Sequence, residues 1–246
     1  MARLRVVLAG ATGRVGRVIA PAIRDAADMV LAGAVALDGV GRDLGEHLFQ
    51  QPWGVVIAPD VASALDAAPA DVLVDFTAGA VAGQDAIAAA RRGVAPVVGA
   101  TGIPPSELRE LEKECEAQRI GGVVIANFSL GAMLLARFAR EAAGTFSHCE
   151  IIEMHHHQKL DAPSGTAKRL AERLGVIAGR EVPVHSVRLP GLLAHHRALF
   201  GGAGETLTIS HDTIGRDCYV PGVLLAVRRV RELWRVVYDL EDLLPA

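Results

Sequence analysis

The apolar run Leu4–Ala9 leads straight into Gly10-Ala-Thr-Gly13-Arg-Val-Gly16, and this junction limits the folds open to the chain. A short apolar run bounded by glycine reads as a buried strand, and the residues from Arg14 to Ile23 read as the helix that follows it. Pro21 lies inside that helix and is expected to kink it or end it early. Each glycine has a geometric use at such a turn: Gly10 for the tight bend, Gly13 for close approach of a ligand to the backbone, Gly16 for packing of helix on strand. The N–H groups at the helix start then face an anion such as a pyrophosphate. The spacing is GxxGxxG, a variant of the GxGxxG dinucleotide fingerprint, and its strand-before, helix-after context favours a dinucleotide site.

The alternation continues. Strands are expected at Val30–Leu37, Val72–Phe76, Ala95–Gly99 and Gly122–Ala126, with helices at Val81–Arg92 and Ser106–Gln118, the latter capped by Ser106. After Asn127 the texture changes. Helices at Ala132–Ala143 and Thr166–Leu174 flank a strand at Glu150–Met154, and three strands then bunch together at Val184–Leu189, His195–Phe200 and Thr206–His211. A helix at Val220–Val230 and a short strand at Trp234–Tyr238 close the chain. The fold class expected is α/β: an N-terminal Rossmann-like dinucleotide-binding domain with a second, α+β domain carrying an open mixed sheet. Hydrophobic residues make up 51% of the chain and aromatics only 4%, so both interiors are to be built from Ala, Val, Leu and Ile.

Several function classes drop out. A formal net charge of −3 gives no electrostatic reason to expect nucleic acid or an anionic membrane as partner. No apolar run approaches the roughly 20 residues needed to cross a bilayer, and no signal-peptide pattern opens the chain. Cys115, Cys149 and Cys218 are far apart, so neither a disulfide framework nor a cysteine-rich zinc site is indicated. A cytoplasmic protein is expected.

The fingerprint calls for an acidic residue about 20 positions past the glycines, to accept the ribose hydroxyls. Asp38 is the nearest acid and lies slightly beyond that register; it reads equally well as a solvated residue opening a turn with Gly39. Arg42 could instead attract a 2′-phosphate, so NADH and NADPH both stay open. Asp75-Phe76-Thr77, Gly99-Ala100-Thr101-Gly102 and Ala126-Asn127-Phe128 all fall at the carboxyl ends of expected strands, where open α/β sheets bind ligands.

Glu153-Met-His155-His156-His157-Gln-Lys159-Leu-Asp161-Ala-Pro-Ser164-Gly165-Thr166 is the densest chemistry in the chain. Metal is disfavoured, because adjacent histidines on an extended segment point to opposite sides and no carboxylate or cysteine cluster completes a set. His155 and Lys159 read as acid–base or anion-binding groups. The Ser164-Gly165-Thr166 turn opens a helix whose N–H groups suit a carboxylate. A small substrate carrying carboxylates fits these parts.

Together these residues resemble the dihydrodipicolinate (4-hydroxy-tetrahydrodipicolinate) reductase family, whose segment reads E-x-H-H-x-x-K-x-D-A-P-S-G-T. Val74–Thr77 (VDFT), Gly99–Gly102 (GATG) and Ala126–Gly131 (ANFSLG) fall where that family carries similar phrases, as do His195, Phe200, Gly204-Glu205, His211, Arg216 and Gly222. The resemblance implies that His155 is a proton donor/acceptor and Lys159 a second proton donor. It implies that His156 and the backbone at Gly165 and Thr166 hold the substrate carboxylates. Gly10, Ala11, Thr12, Gly13, Arg14, Val15, Asp38, Gly99, Ala100, Thr101, Ile125, Ala126, Asn127 and Phe128 would line the cofactor, NADH or NADPH. Hydride would pass to a small dicarboxylate with loss of water, giving tetrahydrodipicolinate on the way to diaminopimelate and lysine. The implied plan is a dinucleotide-binding domain from residues 1–126 and 217–246, a substrate-binding and oligomerisation domain from 127–216, and a homotetramer joined through the second domain's sheet. A sensor that kept the fold alone would have little need of the His155–Lys159 pair, and an oxidoreductase for another small acid would have little need of the DAPSGT turn.

Overall fold

The computed structural model describes residues 2–244, which form two compact units: one from the chain up to Phe128 and from Tyr219 onward, the other from Ser129–Cys218. In the first unit, strands β1 (Leu4–Ala9), β2 (Met29–Val35), β3 (Ile57–Ala58), β4 (Val72–Asp75), β5 (Ala95–Val98) and β6 (Gly122–Val124) alternate with helices α1 (Gly16–Asp25), α2 (Leu44–Phe49), α3 (Val61–Ala67), α4 (Gly79–Arg91) and α5 (Pro105–Gln118). The second unit contains α6 (Leu130–Ala143), β7 (His148–His155), α7 (Gly165–Ala178), β8 (Val184–Arg188), β9 (Ala194–Gly202) and β10 (Glu205–Thr213). The chain then returns to the first unit with α8 (Val220–Arg229) and β11 (Val236–Val237).

The first sheet is parallel throughout, in the order β11-β6-β5-β4-β1-β2-β3. Its central strands are buried on both faces, as the near-continuous Val, Leu and Ala runs require. The order reverses at β1, so the loop after β1 opens at the switch point where such sheets take ligands. The second sheet is mixed, β10-β9-β7-β8, with β7 and β8 parallel and the other pairs antiparallel. Helices α6 and α7 cover one face, over a core that includes Leu135, Ile151, Leu170, Leu174 and Phe200.

Several boundaries differ from those expected. Helix α1 starts two residues later, at Gly16, and runs through Pro21 to Asp25 without stopping. A proline inside a helix costs about 3 kcal/mol, and burial of Ile19, Ala20 and Ile23 on the same helix offsets it. Ser106 does not cap α5: Pro104 occupies the cap position, Pro105 the first turn, and no side chain caps the end. Strand β2 ends at Val35 rather than Leu37, β6 at Val124 rather than Ala126, and α7 extends to Ala178 before Gly179 closes it in the left-handed region. Residues 43–67 hold three elements with no counterpart in the sequence reading, α2, β3 and α3. Both helices start on an Asp cap. Asp43 accepts from the Glu46 N–H at 2.9 Å, and Asp60 from the Ser63 N–H at 2.7 Å. Among the described residues no helix is long and apolar enough to cross a membrane.

Candidate active site

In the first unit the glycine loop is shaped by contacts that leave no room for side chains. Gly10 has φ +73°, and a Cβ there would meet the Phe76 carbonyl oxygen at 2.9 Å. A Cβ on Gly16 would overlap the carbonyl oxygens of Gly10 and Ala11. The Ala11 N–H donates to the Val35 carbonyl at 3.0 Å, which ties the loop to the end of β2. Gly13 and Arg14 are exposed at the start of α1, and Val15 is half-buried beside them. These features suit a pyrophosphate, which needs close backbone approach and free N–H groups.

Asp38 comes back to this loop. The three residues after β2 carry it to Thr12, whose hydroxyl donates to Oδ1, while His47 Nε2 lies 3.1 Å from Oδ2. The Thr12 hydrogen bond, helped by His47, holds the Asp38 carboxyl below the usual range, so it stays ionised. Its displaced register in the sequence is thus taken up by the chain after β2: it precedes Gly39 at φ +74° and lies against Thr12 of the glycine loop. Arg42 is exposed and follows in the same turn.

The other expected cofactor residues cluster at the same sheet edge. Gly99 donates its N–H to the Asp75 carbonyl at 2.8 Å, and its bare Cα gives way to the Phe76 ring. Ala100 is buried and Thr101 exposed; the Ile125 N–H donates to the Val98 carbonyl at 2.9 Å. Ala126 is exposed, Asn127 half-buried, and the buried Phe128 meets Phe76 edge-on at 5.7 Å.

In the second unit, alternation along β7 sends Cys149, Ile151, Glu153 and His155 to the covered face. The apolar residues supply core, and the last two positions of that face supply chemistry. Glu153 is fully buried and engaged on all sides. Arg188 on β8 donates to Oε1 at 2.6 Å and to Oε2 at 3.0 Å, the Ser164 N–H reaches Oε1 at 3.3 Å, and His155 Nδ1 bonds Oε2. Burial by itself would raise this carboxyl, but the hydrogen bonds from Arg188, Ser186 and His155 outweigh it and hold it at about 2. An ionised Glu153 can only accept, so the Nδ1 of His155 is the protonated nitrogen and Nε2 is left for exchange. Burial pushes His155 below its ordinary value, against the opposing pull of Glu153.

His196 stacks edge-on against His155 at 5.6 Å, and its Nε2 lies 3.5 Å from the Ser164 hydroxyl. Burial, followed by the nearby His155, pushes His196 down to about 4, so it is neutral near pH 7. Lys159 donates from Nζ to Asp161 at 2.7 Å, which depresses the Asp161 carboxyl. His156 is half-buried, with its Nδ1 enclosed and meeting no hydrogen-bond partner among the described residues. Gly165 and Thr166 are the first two residues of α7, whose cap is Ser164, accepting from the Ala167 N–H at 3.3 Å. Their N–H groups are among those a helix leaves without an internal partner.

The sequence names Glu153 in the motif without a role and gives none to Arg188 or His196. The i, i+2 spacing of Glu153 and His155 on a strand was the available signal for the first. Arg188 and His196 become neighbours only through the pairing of β8 and β9 with β7.

Residues 4–128 match the family described as dihydrodipicolinate reductase, N-terminus, and residues 131–244 the one described as dihydrodipicolinate reductase, C-terminus. A 4-hydroxy-tetrahydrodipicolinate reductase of Symbiobacterium thermophilum is 49% identical over 251 residues, covering 98% of each chain. The enzyme of the same name from Moorella thermoacetica is 45% identical over 264 residues, covering 99% of each. Among solved structures, the dipicolinate-bound dihydrodipicolinate reductase of Paenisporosarcina sp. TG-14 superposes with a TM-score of 0.88 at 32% identity, covering 98% of this chain and 100% of that one. The glycine loop, the buried Glu153–His155 pair and these full-length likenesses lead to one conclusion: the chain belongs to the dihydrodipicolinate reductase family and is an NAD(P)H-dependent oxidoreductase.

Proposed function

We propose that this chain reduces 4-hydroxy-tetrahydrodipicolinate to tetrahydrodipicolinate with NADH or NADPH, in the branch of lysine synthesis that passes through diaminopimelate. The observation that carries the assignment of roles is the buried Glu153 carboxylate, which fixes the His155 ring from behind and leaves its Nε2 available. The nicotinamide cofactor, when bound, supplies the hydride. Residues 10–15, Asp38, 99–101 and 125–128 hold it.

His155 exchanges a proton through Nε2 as the substrate loses water and is reduced. Lys159 is the second donor, and its ammonium, next to Asp161, keeps a positive charge close to the substrate's anionic groups. The half-buried His156 and the N–H groups of Gly165 and Thr166 take the carboxylates. The unit Ser129–Cys218 thus forms the substrate-binding part, two residues beyond the expected 127–216 at each boundary, and the unit up to Phe128 and from Tyr219 onward the cofactor-binding part. The face of the second sheet that carries His148, Glu150, Thr206 and Thr208 is exposed, and through it four copies assemble into a homotetramer. Three free cysteines suit a reducing, cytoplasmic setting.

Calorimetric titration with dipicolinate, a planar dicarboxylate, tests the substrate site. Wild type is expected to bind it, and His156→Leu and Lys159→Met to weaken it by about tenfold or more, the worth of one charged hydrogen bond. Equal binding by all three proteins would contradict the site.

A further inference from the structure

The carboxyl of Asp75, at the last position of β4, is fully buried. Its Oδ1 accepts from the Thr77 N–H and from the Thr77 hydroxyl, each at 2.7 Å. Its Oδ2 is also enclosed, and no backbone or amide donor among the described residues meets it. A second carboxyl, that of Asp85 on α4, lies within hydrogen-bonding reach of Asp75. Two carboxylates cannot hydrogen-bond; a carboxyl and a carboxylate can. An unsatisfied buried oxygen is costly, so the geometry needs a proton between them.

The place of this pair gives it a role. Asp75 fixes the Phe76–Thr77 turn, and that turn lies against Gly10: the Phe76 carbonyl and the Thr77 nitrogen are the atoms a Cβ on Gly10 would strike. Helix α4, which carries Asp85, begins at Gly79 pressed against the Thr101 carbonyl. One helix therefore touches both walls of the expected cofactor cradle. We infer that Asp75 and Asp85 share a single proton, and that Asp85 is a positioning residue whose protonated carboxyl locks α4 to the turn beneath the glycine loop. This rests on the reading of that loop as the cofactor site.

The surroundings favour the protonated state. Desolvation, then the charge of Asp75, raises Asp85 to about 7, and Asp60 at the start of α3 adds in the same direction. On α5, Glu107 lies against Gly83 and accepts from Gln84 at 2.8 Å. The cations of α4 are engaged elsewhere: Arg91 with Glu110 and Glu114, Arg92 with Asp66. Strand β5 brings no charge. Above the range in which the proton leaves, the buried Asp75 and the half-buried Asp85 repel as anions and α4 loosens from the turn.

The test is NADH affinity, followed by its fluorescence, at about pH 6 and about pH 8.5 in wild type, Asp85→Asn and Asp85→Ala. Wild type is expected to weaken by about fivefold or more on going to the higher pH, and Asp85→Asn, which donates from an amide at any pH, to lose that dependence. His47 lies beside Asp38 in all three proteins alike, so the difference between them is the readout. Asp85→Ala, which orphans Oδ2, is expected to bind more weakly than Asp85→Asn at both pH values. Infrared difference spectra supply a cofactor-free readout: a protonated carboxyl band in wild type at the lower pH, missing in Asp85→Asn. Parallel pH profiles for wild type and Asp85→Asn, equal affinities of the Asn and Ala variants, or absence of the band would each overturn the proposal. Failure of all three proteins to bind NADH would count against the cofactor site instead, with the band still deciding the shared proton.

Discussion

Arg188 grips Glu153 by both oxygens, at 2.6 and 3.0 Å, from the strand that runs parallel beside it, and reaches the Asp161 carbonyl at 2.7 Å with the same guanidinium. One cation therefore braces the orienting carboxylate of His155 and the loop that carries Lys159. Removing it with Arg188→Met leaves a buried anion short of its partner, a change that costs about 3–5 kcal/mol and is measurable by urea unfolding. Glu153→Gln keeps the shape but not the charge, so His155 loses its fixed anionic partner. Turnover is expected to fall by about 10²-fold, with a smaller loss of stability than in Arg188→Met. Full activity in Glu153→Gln would contradict the orienting role.

Acid stability follows from the same cluster. An unfolded His196 takes up its proton near pH 6.5 and the folded one only near 4, so stability contributed by the neutral ring is present above about pH 6.5 and is lost as pH falls through that interval. Glu153 adds a lower window. Its carboxyl protonates near 4.5 when unfolded and about 2 when folded, so its contribution drains between those values. Measured as the difference between wild type and His196→Gln, which cancels the opposite contribution of Asp85 in this interval, the melting temperature is expected to be flat above about pH 7 and to fall by roughly 5 °C or more toward pH 4. His196→Gln, which can still meet Ser164, should flatten the upper window and leave the lower one. An unchanged upper window in that variant would show that His196 titrates normally.

Asp38 is the residue expected to set the cofactor balance. An ionised carboxylate held by Thr12 can accept ribose hydroxyls but repels a 2′-phosphate. Asp38→Asn is expected to shift the ratio of NADPH to NADH affinity toward NADPH by about tenfold, roughly 1.4 kcal/mol, as read by titrating each cofactor. An unchanged ratio would remove Asp38 from the discrimination.

Much of this was legible in the sequence because it is local. The strand-to-helix glycine turn and the His–Lys segment depend on residues close in the chain, and so do the strands β1, β4, β5 and β7. What escaped depends on distant parts. Helices α2 and α3 are too short to show a helical period, and only their Asp caps announce them. The reach of Asp38 to Thr12 depends on where β2 stops, which the apolar pattern does not fix to within two residues. Arg188 joins the site from β8 by strand register alone, and the Asp75–Asp85 pair arises from packing of a helix on a strand end. Pro21 shows local propensity giving way to burial, since the buried residues Ile19, Ala20 and Ile23 on either side of it keep the helix whole.

The most direct test of the central claim is turnover with the substrate generated in place by a synthase, followed as loss of NADH or NADPH absorbance, in wild type and Lys159→Ala. Wild type is expected to oxidise one or both cofactors only while the synthase runs, at about 1–10³ s⁻¹. Lys159→Ala is expected to be slower by about 10²–10⁴-fold with NADH binding nearly unchanged. No oxidation by wild type with either cofactor would contradict the assigned reaction, and a matching loss of NADH binding in Lys159→Ala would contradict the placement of Lys159 at the substrate.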